Sequence, residues 1–317
     1  MNSETIYIII LLFLCADFIF ERFLEGLNIR AMSPVLPEKL KGIYDEKEYK
    51  RFQSYKKENN RFGLISSAFS FTVTVLLLAA GGFGLYNDWI VSRTDSILWQ
   101  TLFFMLGLSV ISTLLEMPFS WYATFRIEEK YGFNKSTLNT WITDAVKGVF
   151  LSLIIGGLIL SAVVGFYLWT GSRFWIYAWV LISLFSIFMA MFYSRLIVPL
   201  FNKQSPLQAG SLRDKIEAFA SRTGFRLKNI YVIDGSKRST KANAYFTGFG
   251  AEKRIVLYDT LLQDLTEEEI VAVLAHEIGH YRKKHTLKFM SASILQTGFM
   301  LWLFSLLVNI QAFSEAL

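Results

Sequence analysis

Polar and apolar residues are segregated along this chain rather than mixed. Long apolar runs at about 6–24, 63–86, 97–115, 148–169, 174–194 and 289–313 alternate with charged stretches. A helix needs about 20 apolar residues to cross a hydrocarbon core, so each run predicts a transmembrane helix, six in all. Two of the intervening turns are short and carry only Arg93 and Arg173. The other three connections, 26–61, 118–147 and 195–286, are long and hold most of the remaining Lys and Arg. Six spans put all three basic connections on one side, which the positive-inside rule makes cytoplasmic, with the N-terminus on the opposite side.

Composition agrees with this pattern. Hydrophobic residues make up 53 % and aromatics 16 % of the chain, more apolar surface than a soluble fold of this length would hide. The net charge of +6 resides in the loops rather than in a phosphate-binding stripe, so no nucleic-acid partner is expected. The only cysteine, Cys15, lies in the first apolar run and offers neither a disulfide nor a metal site. Glu4 is the only early charge and no small-residue cleavage site follows, so the first run reads as a retained anchor. Asp17, Glu21, Arg22 and Glu116 fall inside or at the edge of spans. They face other helices or water, or they sit at the interface. Asp17 and Glu21 share a helical face, and Arg22 is placed to pair with one of them.

The stretch 195–286 is the polar part of the chain. Leu212, Ile216, Phe219 and Ala220 give 211–224 an amphipathic helical pattern, with Gly224 as its stop. Residues 229–234 and 254–258 read as strands. Between them, 243–247 is a short extended candidate ended by Gly248 and Gly250. Thr266 and Glu269 then form a capping box that opens a helix, with Glu267 and Glu268 in its first turn and Arg282, Lys283 and Lys284 at its end.

That helix carries His276-Glu277-Ile278-Gly279-His280. Residues four apart lie on one helical face, so both imidazoles can address a single ion. Glu277 can reach a water at that ion and take its proton, the arrangement of a zinc hydrolase. The chain has three histidines, His276, His280 and His285, all within ten residues. The plain alternative is a pair of solvated histidines on a surface helix. The helix leads almost directly into the sixth span, which puts the site at the membrane boundary.

These residues resemble the Ste24-type CAAX prenyl proteases, integral-membrane zinc metalloproteases of the M48 family. Besides the HExxH, the resemblance rests on EEKYGFNK at 128–135, on SKRST at 236–240 running into Asn243-Ala244-Tyr245-Phe246, and on RIVLYDTLL at 254–262. It implies an α-helical membrane protein whose seven helices ring a water-filled chamber, with a cytoplasmic, gluzincin-like α+β metalloprotease insertion. It also implies one Zn2+ per chain on His276 and His280, and Glu277 as the base. Asn243, Ala244 and Tyr245 would be an extended edge that hydrogen-bonds the substrate backbone. The alternative for these three is an ordinary core strand.

The family's third ligand is a Glu on a later helix, whereas the only carboxylate after Glu277 here is Glu315, beyond the sixth span. The seventh helix and third ligand are therefore expected to be missing from what reads as a C-terminally truncated sequence. His285 lies five residues after His280, a spacing no metal motif uses, and reads as an interface residue. Lys241 stands where eukaryotic members commonly carry a His. That leans toward a bacterial inner membrane rather than the endoplasmic reticulum, and leaves open whether the substrate is prenylated. The expected organisation is a membrane domain at 1–195, a metalloprotease domain at 196–286 and a last span at 287–317. The expected partners are the lipid bilayer and a protein or peptide substrate. A membrane quality-control protease of the same superfamily and an inactive protease-like scaffold are the alternatives.

Overall fold

In the computed structural model, residues 2–224, 229–247 and 254–314 are described. Gly248, Gly250 and Glu315, which figured in the sequence reading, lie outside them. The chain packs as two compact units. One comprises Met1–Gly132, Val149–Leu168 and Phe304–Leu317, the other Phe133–Gly148 and Trp169–Leu303.

The first unit is helical. α1 (Ser3–Ala31) opens on Asn2, whose side chain accepts from the Thr5 amide at 3.0 Å. α2 (Glu46–Ala79) opens on Asp45, which accepts from the Glu48 amide at 2.8 Å. Both caps satisfy first-turn donors that a helix cannot pair internally. The helix containing the second apolar run thus begins well before residue 63, and it stops before residue 86. The break falls at Gly81, whose φ of 65° suits a residue without a Cβ, and α3 (Gly82–Val91) follows. α4 (Ile97–Tyr122) contains Pro118, which removes a backbone donor, and continues as a π-helical turn at Ala123–Glu128. Phe18 of α1 stacks on Phe71 of α2 with ring centroids 4.1 Å apart. Beside them Arg22 pairs with Glu25 at 2.7 Å and with the Ser67 hydroxyl at 2.6 Å. The expected partners, Asp17 and Glu21, are displaced because Glu25 lies one turn on and α2 adds a polar group from the side.

α5 (Leu138–Thr170) begins in the second unit and runs into the first. In the second unit, a single 3-10 turn at Gly171–Arg173 separates the end of α5 from α6 (Phe174–Leu196). The short α7 (Val198–Phe201) and β1 (Gln204–Pro206) lead into α8 (Ser211–Arg222). β2 (Asn229–Ile233), β3 (Ala244–Thr247) and β4 (Arg254–Tyr258) complete a four-stranded sheet ordered β1-β2-β4-β3. β2 and β4 are parallel, and both outer pairings are antiparallel, with Tyr245 opposite Val256. α9 (Asp259–Asp264), α10 (Glu267–Arg282), α11 (His285–Leu307) and α12 (Gln311–Ser314) finish the chain. α11 thus begins before residue 289 and ends before residue 313. The sheet's core is made by Ile230, Ile255 and Leu257 with Ile216 of α8 and Ile270 and Leu274 of α10.

Among the described residues, five helical stretches are long and apolar enough to cross a membrane: Ser3–Ala31, Glu46–Ala79, Ile97–Glu128, Leu138–Phe201 and His285–Leu307. The protein is an integral, multi-pass membrane protein, mostly helical with one small sheet.

The SKRST stretch at 236–240 ties distant parts of the second unit together. Arg238 holds Asp144 of α5 through two bonds of 2.6 and 2.9 Å and donates to the Phe201 carbonyl at 2.7 Å. The Lys135 amide donates to the Arg238 carbonyl, and the Thr240 amide to the Phe133 carbonyl. Asp259 accepts from the amide and hydroxyl of Ser236. Two of the stretches that carry the family resemblance thereby meet, Phe133-Asn134-Lys135 against Arg238-Ser239-Thr240.

Candidate metal centre and substrate groove

α10 is fixed at its start and along one face. Glu269 accepts from the Thr266 amide at 2.8 Å and Thr266 accepts from the Glu269 amide at 3.4 Å, which closes the predicted capping box. Lys215 of α8 pairs with Glu267 at 2.7 Å and Glu268 at 2.5 Å. The ammonium beside them holds both carboxyls below the usual carboxylate range. Ile270, Leu274 and Ile278, spaced by four, are each at most 2 % exposed. At 100° per residue, His276 and His280 fall roughly 140° around the helix from that buried stripe. Packing one face of α10 against the sheet therefore turns both imidazoles outward.

The two rings converge. Nε2 of His276 and Nε2 of His280 are 3.0 Å apart. The other ring nitrogen of His280, Nδ1, lies 2.9 Å from Nδ1 of His285. Among the described residues, no group of three or more His, Cys, Asp or Glu side chains is gathered as a metal site. Glu277 and His280 line a cavity of about 650 Å³ together with Tyr193 of α6 and Tyr245 and Thr247 of β3.

The predicted edge residues divide. Among the described residues, β3 is the last strand of the sheet and pairs with β4. Tyr245 faces the cavity; its hydroxyl bonds to the buried Ser194, and burial pushes its phenol above the ordinary range. Ala244 is 7 % exposed and belongs to the sheet core. The Asn243 carbonyl accepts from the Tyr258 amide at 3.0 Å, and its side chain accepts from the Ala244 amide at 2.8 Å. The side chains of Asn243 and Ala244 thus serve the strand. Sequence reasoning missed the contribution of α6, because Met189 and Tyr193 sit in a run that is apolar on every side.

Residues 27–203 match the family model for the CAAX prenyl protease N-terminal region of five membrane helices, and 206–316 match peptidase family M48. The chain is 38 % identical to the CAAX prenyl protease 1 homolog of Arabidopsis thaliana, over 89 % of this chain and 69 % of the relative. Identity to CAAX prenyl protease 1 of Saccharomyces cerevisiae is 36 %, over 92 % of this chain and 67 % of the relative. The human CAAX prenyl protease 1 homolog shares 31 %, over 97 % of this chain and 74 % of its own length. The crystal structure of S. mikatae Ste24p superposes with a TM-score of 0.90 at 34 % identity, covering 99 % of this chain and 74 % of that one. Matches across both halves of the chain, in sequence and in fold, place it in the Ste24-type family of M48 membrane metalloproteases.

Proposed function

We propose that the protein is a zinc-dependent endopeptidase that cleaves peptide bonds of membrane-associated or lipidated, CAAX-type substrates. The observation that carries this reading is the convergence of the His276 and His280 Nε2 atoms, 3.0 Å apart, beside Glu277 and an edge strand. Two imidazole donors on one tetrahedral ion at 2.0–2.1 Å stand about 3.3 Å apart, so this donor pair fits zinc with little adjustment. When bound, the ion supplies a Lewis acid for the scissile carbonyl and makes a nearby water acidic. His276 and His280 would hold it. Glu277, next to the first ligand and open to the cavity, takes the water proton and passes it to the leaving amine. Asn243 and the first residues of β3, Ala244 and Tyr245, offer an outer edge to an extended substrate backbone.

The membrane arrangement belongs to the same proposal. Leu138–Phe201 has 64 residues, which as one helix would run to about 96 Å, three times a hydrocarbon core. The turn at Gly171–Arg173 divides it into two spans, giving six. With the basic connections inside, 196–286 is a cytoplasmic insertion between the membrane domain at 1–195 and the last span, and the N-terminus lies outside. The apolar body of the cavity, with Met189 and Tyr193, suits a substrate that carries a lipid near the cleaved bond.

The test is Glu277→Gln in the full-length gene product in detergent, assayed on farnesylated and unmodified CAAX peptides with zinc measured per chain. Turnover should fall by at least about 10²-fold, the scale of a lost general base, with zinc retained. Residual hydrolysis near wild type would remove Glu277 from this role. Equal cleavage of both peptides would move the reading to a general membrane protease.

A further inference from the structure

His285 was set aside as a ligand by its spacing, yet it is the residue that His280 meets on the side away from His276. The two Nδ1 atoms are 2.9 Å apart, with ring planes crossing at 71° and centroids at 5.0 Å. Nδ1 and Nε2 lie on different sides of an imidazole, so His285 does not share the point toward which the two Nε2 atoms converge. We propose that His285 is a positioning residue for His280, accepting its Nδ1–H and so fixing the ring and tautomer that leave Nε2 free for the metal. This rests on the zinc reading above.

The chemistry is constrained. An imidazole that commits Nε2 to a cation carries its proton on Nδ1, and that N–H needs an acceptor to set the ring's orientation and raise its basicity. His285 Nδ1 is an acceptor when its own proton is on Nε2, and that tautomer pair satisfies the contact in one way. The backbone is built for the contact. Lys284, between α10 and α11, has φ of 56°. A left-handed conformation is disfavoured for a residue with a Cβ. The turn is held by the Lys283 amide on the Gly279 carbonyl at 3.0 Å and the Lys284 amide on the Tyr281 carbonyl at 2.8 Å. It joins the two helices within two residues, and the first residue of α11 meets His280 in the last turn of α10.

The experiment measures zinc affinity by chelator competition on the full-length protein in detergent, for wild type, His285→Ala, His285→Asn and His276→Ala, with the melting temperature of each metal-free form. His285→Ala should weaken zinc binding by about 10–100-fold, the usual scale for an outer-shell partner. His285→Asn, whose side-chain oxygen reaches close to the former Nδ1, should restore most of it. Wild-type affinity in His285→Ala, with zinc lost in His276→Ala, would overturn the positioning role and leave the zinc pair standing. Asn as weak as Ala would also overturn it, since a residue that must itself bind metal is not rescued by an amide. If His285→Ala lowers the metal-free melting temperature, the Asn variant decides. Zinc retained by His276→Ala would sink the metal reading itself, a separate result.

Discussion

The sheet with α10 and the long apolar helices use the same side chains in opposite ways. Ile255, Val256 and Leu257 are wholly buried, whereas Phe13, Trp169 and Phe289 are each more than 70 % exposed. In the sheet, β4 is covered on both faces, Ile255 and Leu257 packing in one cluster and Val256 in another, whereas α10 is buried along one stripe and polar on its reverse. In the spans, apolar residues occupy all faces because hydrocarbon surrounds them, and periodicity no longer tells inside from outside. The difference shows in what each region lets a side chain do. An amphipathic helix, α10, can aim two histidines by burying its other face. An apolar helix cannot aim anything by hydrophobicity alone, and it relies on polar contacts such as Arg22 with Glu25 and Ser67.

Truncating one leucine in each region sharpens this comparison most. Leu257→Ala opens a cavity under β4 and should cost about 3 kcal/mol, within the range for buried leucine. Leu12, 63 % exposed on α1, loses little on truncation, because detergent or lipid replaces its neighbours. Thermal unfolding in one detergent should separate the two variants by several degrees. Equal losses would mean that α1 is packed against protein on that face.

Arg238 is the next largest effect. Its guanidinium joins Asp144 of α5 to the Phe201 carbonyl, with both charged side chains about one quarter exposed. Arg238→Ala leaves a half-buried carboxylate unpaired and should cost about 2 kcal/mol, below the 3–5 of a fully buried pair. Lys recovers only part, since a point charge cannot make the two-pronged contact. Activity lost with full thermal stability would show that Arg238 touches substrate instead.

The sequence was most readable where local rules and packing agree. The Ile-Val-Leu-Tyr run at 255–258, the capping box and the His pair each need only their neighbours to be recognised. β1 was not readable: Gln204-Ser205-Pro206 has no strand propensity and is a strand only because β2 offers it a ladder. The early start of α2 was hidden because 46–62 is dominated by charged and amide side chains, with only Tyr49, Phe52, Tyr55 and Phe62 as aromatic positions, and its start is set by the Asp45 cap. The break at Gly81 was hidden inside that run. The contact between His280 and His285 depends on one left-handed residue, Lys284, and no sequence rule places a lysine there. For α6, the sequence marked a span but not the face that lines the cavity.

The smallest effect tests whether α10 is aimed from its start. Thr266→Ala removes the cap hydroxyl and should cost about 1 kcal/mol. Glu269 adds a pH dependence of known sign. Bonds from the Thr266 amide and hydroxyl hold its carboxyl below the ordinary range. A carboxyl depressed in the folded state contributes stability that is present above its unfolded value, about 4.3, and is lost as pH falls through the lower folded value. Glu269→Gln can still cap but does not titrate. The melting difference between wild type and this variant should be largest at neutral pH and shrink steadily below about pH 4, as the carboxylate protonates. Glu267 and Glu268 titrate in both proteins against Lys215 and cancel in the difference. A difference that grows on acidification would mean that the glutamate is paired elsewhere, and that the helix carrying the histidines is not set by its cap.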